Sequence, residues 1–340
     1  MGEAQEPGGD RARGGAGPEP ADAPAARPHA CAHDPARGRP LVVGHRGAMG
    51  LAPENTLESF ELAFELGADM LELDVHPTRD GRLVVIHDDV LGRTTPWAGP
   101  GAPPFVADLT LAELAALDAG TWFVRALDRL PPPPHGPTDD ERRRWLDAGA
   151  LARFSSGRVR PPALEDVLAL VRRRDKLVNV ELKLVPRRYP GLVEAVVTAL
   201  RAAGAVERTV ISSFDHQALA LAKRLAPELP AAALCAERLA WPGRYVREHL
   251  GADGWNPGAT GPYDTLGFGS VALARDGASA LDAASVVEAH ARGVAVYPWT
   301  VNDPEHLRLL VGLGVDGVIT DYPHRLAALL APAGPGPGVP

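Results

Sequence analysis

The sequence predicts one closed eight-stranded barrel of the TIM (β/α)8 type, and three observations carry that prediction. From Leu41 onward, short apolar runs alternate with amphipathic stretches of ten to twenty residues, as parallel strands and their covering helices require. The runs number eight. Charged residues recur at the ends of the first four of them, where such barrels place their chemistry.

The first forty residues contain no Leu, Ile, Val, Phe, Tyr or Trp, and 24 of them are Gly, Pro or Ala. Such a segment cannot offset its own ordering entropy, so residues 1–40 are expected to be a disordered leader, and 331–340 a disordered tail of similar composition. The leader also lacks the apolar stretch of a secretory signal, and no run of eighteen apolar residues follows, so the expected location is the cytoplasm, without membrane insertion. The strand candidates between these ends are Leu41–His45, Asp69–Val75, Leu83–His87, Leu177–Lys183, Thr209–Phe214, Ala231–Cys235, Val294–Thr300 and Val315–Asp321. Asn55 with Glu58, and Thr110 with Glu113, have capping-box spacing for helix starts. Asn302, Asp303 and Pro304 open another helix.

Two places strain the barrel pattern. Only His76 to Arg82 separate the second and third runs, too few for a parallel crossover, and Asp80-Gly81 there has hairpin chemistry. The barrel is therefore expected to be distorted between strands 2 and 3. Gly254 to Asn256 also competes with Ala231 to Cys235 for the sixth strand. After strand 3, the stretch 91–162 fits no barrel repeat and reads as an insertion within the 41–330 domain, either a cover for the site or a solvated excursion.

Net charge and cysteine usage narrow the function. With 35 Lys and Arg against 43 Asp and Glu, the chain has no reservoir of cations for a run of phosphates, which excludes general nucleic-acid binding. Cys31 and Cys235 make neither a disulfide framework nor a thiolate metal site.

The chemistry sits at the strand ends. Strand 1 ends in His45 and Arg46, strand 3 in His87 and Asp88. Period two puts Glu72 and Asp74 on the inward face of strand 2, with Leu71, Leu73 and Val75 facing outward, and puts Asn179, Glu181 and Lys183 on one face of strand 4. Three carboxylates in a partly enclosed mouth repel one another, and a cation resolves the repulsion. Oxygen-only ligation by Glu72, Asp74 and Glu181 suits Mg²⁺ or Ca²⁺, whereas zinc would call for a histidine. Arg46 and Lys183 add two positive charges that can clamp an anion, and two histidines on separate strands have the pKa range for a general acid and base across a phosphorus atom. That combination points to phosphodiester hydrolysis of a small molecule.

The ordered set Gly44-His45-Arg46-Gly47, Pro53-Glu54-Asn55-Thr56, Glu72-Leu73-Asp74-Val75, Asp80-Gly81, His87-Asp88 and Glu181-Leu182-Lys183 resembles the glycerophosphodiester phosphodiesterase family. Ser212-Ser213-Phe214-Asp215, Trp299-Thr300-Val301-Asn302 and Ile319-Thr320-Asp321 continue the likeness, which excludes the insertion interior and 258–280. The resemblance implies metal-dependent cleavage of a glycerophosphodiester to sn-glycerol 3-phosphate and an alcohol. It gives His45 and His87 as acid and base, Glu72, Asp74 and Glu181 as metal ligands, and Arg46 and Lys183 as phosphate clamps. Trp299 is read as a wall for the glycerol moiety in preference to a core aromatic, Phe214 as barrel filling and Asn55 as a helix cap, while His76 is left out of the site as equally well a rim residue. Three rivals stand beside this reading: a lysophospholipase D-like enzyme, a non-catalytic phosphodiester-binding protein, and a metal-dependent sugar isomerase, which would have no use for the Arg46 and Lys183 clamp. The oligomeric state is left open.

Overall fold

The computed structural model describes Gly2, residues 32–258 and residues 281–332. The expectations for 3–31, for the divergent stretch 259–280 and for the tail from 333 lie outside the described residues. Among the described residues nine strands form: β1 Leu41–Gly44, β2 Met70–Pro77, β3 Leu83–Val85, β4 Leu177–Leu182, β5 Thr209–Ser213, β6 Ala231–Cys235, β7 Gly254–Pro257, β8 Ala295–Val296 and β9 Gly317–Thr320. Eight of them pair in parallel in the order β8-β7-β6-β5-β4-β2-β1-β9. Backbone hydrogen bonds from Asp316 to Val296, Ile319 to Pro298 and Val301 to Ile319 join β8 to β9 and complete the TIM-type barrel.

The staves are not the eight expected. β3 is an arm that pairs antiparallel with the upper half of β2, Val75 opposite Val85, through a tight turn at Asp80-Gly81. Gly81 has φ +72°, which a residue with a Cβ reaches at a cost. The missing stave is β7, so Ala231–Cys235 and Gly254–Pro257 are successive staves, not competitors for one position. Short range explains both errors: a seven-residue link can only reverse the chain, and a four-residue Gly-Trp-Asn-Pro run carries too little periodicity to be seen.

The alternation along the staves separates two cores. Leu71, Leu73, Val75, Val178, Val180 and Leu182 face the helices, whereas Leu41, Val43, Met70, Val210, Ala232, Tyr297 and Ile319 fill the barrel. The main covering helices are Leu57–Glu65, Leu164–Arg173, Leu192–Ala202, His216–Leu225, Ala283–His290, Pro304–Leu313 and Pro323–Leu330. Thr110 and Asp303 cap as expected. The first helix is capped by Thr56, whose hydroxyl accepts from the Ser59 amide, which corrects the assignment of that role to Asn55. Among the described residues no helix is long and apolar enough to cross a membrane. Cys235 is buried, and burial pushes its thiol up to about 12.

Residues 32–40, read from composition as part of the leader, lie against the N-terminal end of the barrel. Asp316, just before β9, ties that segment down by accepting from His33 at 2.7 Å, while its other oxygen accepts from His290 at 2.9 Å and the Val296 amide at 2.8 Å.

The insertion after β3 is not a solvated excursion. Its short helices include Thr121–Ala126, Asp139–Trp145 and Ala148–Phe154, and Phe123, Leu146 and Phe154 are buried in the main core. Glu141 fastens it to the last helix through a fork with Arg325, at 2.7 and 2.6 Å, and through His324 at 2.6 Å. Although burial opposes it, Arg325 and His324 hold the Glu141 carboxyl well below the usual range. A depressed carboxyl stabilises the fold above its unfolded value and loses that contribution as pH falls through the folded one. Glu141→Ala should therefore cost about 3 kcal/mol at pH 7, because Arg325 is left buried and unpaired. The difference from wild type should shrink in urea titrations below about pH 4, where the unfolded Glu takes up its proton.

Candidate active site

The site is built at the C-terminal ends of β1, β2 and β4 and from β3. After β1 the chain turns sharply: Arg46 has φ +47° and Gly47 φ +88°. A Cβ on Gly47 would stand 2.4 Å from Ser59 Oγ and 2.7 Å from the Ser59 backbone, so glycine is required for the loop to rest on the first helix. The Ser59 hydroxyl in turn donates to Arg46 O at 3.0 Å. This seating turns His45 and Arg46 toward the cavity that both line.

The strand register places the acids. Asp74 lies opposite Glu181, Glu181 opposite Ser212, and Glu72 opposite Asn179 one pair lower. Carboxylate oxygens of Glu72, Asp74 and Glu181 lie within 4.8 Å of one another, so the three predicted acids do converge. Burial, reinforced by Asp74 and Glu181, pushes the Glu72 carboxyl up. Asp74 goes the other way: burial opposes, but Lys183, His87 and Arg46 hold it well below the ordinary range. Lys183 Nζ lies 2.7 Å from Glu181 and 3.4 Å from Asp74, and Arg46 Nε 3.2 Å from Asp74. Asp74 Oδ1 is buried without a hydrogen bond. An all-oxygen trio in which one buried oxygen has an ion-pair neighbour but no hydrogen bond, and one carboxyl is strained toward its neutral form, has the donor chemistry of a hard divalent cation site.

Both histidines line the same cavity as Glu72 and Glu181, and each is bonded to an acid. His45 Nδ1 meets Asp321 Oδ1 at 2.7 Å, and its Nε2 stands 3.9 Å from Glu72. Asn302 donates to Asp321 Oδ2 at 2.6 Å and accepts from the Asp321 amide at 2.9 Å, which fixes the carboxylate in turn. Burial and Arg46 lower the His45 imidazole, but Asp321 and Glu72 outweigh them and raise it. His87, which lines the same cavity, meets Asp88 through Nδ1 at 2.7 Å, and His76 Nε2 bonds the His87 carbonyl at 3.0 Å. His76 is buried, not a rim residue, because β2 continues regularly through Pro77 under the β3 arm.

A cavity open to solvent connects these groups, lined by His45, His87, Glu72, Lys183, Phe214 and Trp299 among others. Asn179 Oδ1 and Ser212 Oγ, which also line it, are buried without partners. Trp299 donates through Nε1 to Asn256 O at 2.8 Å and meets Phe214 edge to face at 5.6 Å. Phe214 is thus a wall of the cavity and partly exposed, not barrel filling. Sequence reasoning gave no role in the site to Asp321, Asn302, Glu54 or Arg93, and read Asn302 only as part of a helix start. Asp321 was accessible by the same strand-end query that found His45; the others come from loops without periodicity. Asn55, with φ +56°, donates to Asp74 at 2.8 Å and so serves the site.

The family profile described as glycerophosphoryl diester phosphodiesterase matches residues 45–325. The chain belongs to that family. It is accordingly an enzyme, a phosphoric diester hydrolase of glycerophosphodiester type. A glycerophosphodiester phosphodiesterase from Caldanaerobacter subterraneus subsp. tengcongensis is 33% identical over 294 residues, spanning 86% of this chain and 99% of that protein. Among solved structures, one from Silicibacter pomeroyi, whose assignment to the same activity is provisional, superposes with a TM-score of 0.67 at 30% identity, covering 89% of this chain and 95% of the other. An Oleispira antarctica phosphodiesterase, solved with the product sn-glycerol-3-phosphate, gives 0.62 at 27% identity, with 85% and 96% covered.

Proposed function

We propose that this enzyme hydrolyses glycerophosphodiesters to sn-glycerol 3-phosphate and an alcohol, with a divalent cation, Mg²⁺ or Ca²⁺, held by Glu72, Asp74 and Glu181. The observation that carries the reading is the convergence of this oxygen trio with two acid-oriented histidines and two cations around one cavity. When bound, the cation neutralises charge on the non-bridging phosphate oxygens. Arg46 and Lys183 hold the same phosphate and stabilise the charge that grows on it as the new P–O bond forms. One histidine takes the proton of the attacking hydroxyl and the other gives a proton to the departing alkoxide; when the nucleophile is water the product is glycerol 3-phosphate directly, and when it is the substrate's own glycerol 2-hydroxyl the product is a cyclic phosphate that a water, deprotonated in the same way, then opens to the monoester. Trp299 and Phe214 form the apolar wall for the glycerol carbons.

Phosphorus NMR tests this with glycerophosphocholine and lysophosphatidylcholine in separate tubes, each with Mg²⁺, Ca²⁺ or chelator. Glycerol 3-phosphate should appear from the first substrate, with metal, and should be absent with chelator. Lysophosphatidic acid from the second substrate alone would favour the lysophospholipase D reading, and no conversion of either would favour a binding protein.

A further inference from the structure

We propose that Arg93, at the start of the insertion, is a positioning residue that holds His87 in its working orientation through Asp88; the inference rests on the reading of His87 as an acid or base above. His87 needs such a restraint. It follows the β3 arm outside the parallel barrel, and its side chain is 31% exposed, so neither sheet register nor burial fixes its ring. The ring is held by Asp88, and Asp88 is held by Arg93, whose Nε and Nη2 donate to its two oxygens at 2.7 and 2.9 Å.

The other edge of the same guanidinium is spent on Glu54. Arg93 Nη1 and Nη2 each donate to Glu54 at 2.7 Å, and Arg46 Nη1 donates to Glu54 from the cavity side at 2.8 Å. Glu54 is almost fully buried, which anchors the fork to the loop after β1. A planar guanidinium can address two carboxylates at once along different edges, whereas an ammonium is a point charge. The insertion supports Arg93 from behind: its guanidinium lies 5.8 Å from the centre of the Trp122 ring, and Trp122 Nε1 donates to Ala119 O at 2.9 Å. The insertion therefore contributes a fixed strut to the site, running from Trp122 through Arg93 and Asp88 to the imidazole. Because Arg46 still compensates Glu54 without Arg93, the phosphate and metal sites should survive its loss.

The test uses the full chain with Ca²⁺. Arg93→Met and Asp88→Asn should each lower kcat on glycerophosphocholine about 10²-fold, the order of loss that follows from misplacing a reacting group. KM and Ca²⁺ affinity should stay within about threefold of wild type, and the double variant should be no worse than the weaker single, because both act on one strut. Arg93→Lys keeps the charge and loses the fork, and should stay below about a tenth of wild-type kcat. Unchanged kcat in Arg93→Met, multiplicative losses in the double variant, or a fall in Ca²⁺ affinity that matches the fall in kcat would each overturn the proposal. A ¹⁵N imidazole spectrum gives the readout that does not depend on the substrate: the His87 Nδ1–H bonded to Asp88 should lose its downfield position in Arg93→Met. If wild type leaves glycerophosphocholine intact, the functional reading fails, and this spectrum alone then upholds the strut when the signal moves or overturns it when the signal stays.

Discussion

His87→Ala is expected to lower kcat about 10³-fold while leaving divalent-cation affinity within a few-fold of wild type, a loss within the range for removing a general acid or base. The separation follows from geometry: His87 lines the cavity, but its ring is bonded to Asp88 and its carbonyl to His76, and neither belongs to the carboxylate trio. His45→Ala should give a loss of the same order. The rate of wild type should be bell-shaped in pH, and the limb that belongs to His45 should move when Asp321 is changed. Asp321 raises the His45 imidazole, so Asp321→Asn should shift that limb to lower pH. A steady-state profile on glycerophosphocholine, with isothermal titration of Ca²⁺, reads both effects; near-normal turnover of His87→Ala would remove that residue from the mechanism.

Asp74→Asn should abolish turnover, by more than about 10³-fold, and excess Mg²⁺ or Ca²⁺ should not restore it. Asp74 is the hub of the site: Lys183, Arg46 and Asn55 all reach it, and Glu181 stands opposite it in register. A ligand that binds only the folded state stabilises it by about 2.7 kcal/mol at a hundredfold excess over Kd, so wild type should melt higher with the cation and Asp74→Asn should not. The pH dependence has a definite sign. Glu72 is raised in the cation-free protein, so the folded state holds that proton longer than the unfolded one. Stability of the cation-free protein should then fall as pH rises through the raised value, and the cation should restore most of the difference at neutral pH. Calorimetric melts with and without chelator at several pH values measure it; a cation-independent melting curve would rule out the trio as a binding site.

The acids and bases were legible because strand periodicity is rigid. Given that β2 and β4 are strands, Glu72 and Asp74 must share a face, and so must Asn179 and Glu181, whatever surrounds them. His45 and Arg46 were legible for the same reason, as the first residues past an apolar run. Phe214 and Asn55 were misread because their roles depend on what lies opposite: Trp299 and the cavity for one, Asp74 for the other. Arg93 gave no signal, since nothing in a loop of mixed composition says that its guanidinium will meet two carboxylates from two other segments.

By itself the sequence determined the fold class, the faces of the strands that carry the acids and the residue types that meet at the mouth, because these follow from local periods and from the chemistry of single side chains. Tertiary structure decided which eight segments are staves, since a four-residue β7 and a folded-back β3 differ only in which neighbour supplies their hydrogen bonds. It also decided how each histidine is aimed. Asp321 lies 276 residues from His45, and Glu54 39 from Arg93. No local period links positions so far apart, and only closure of the barrel and docking of the insertion bring them within hydrogen-bond reach.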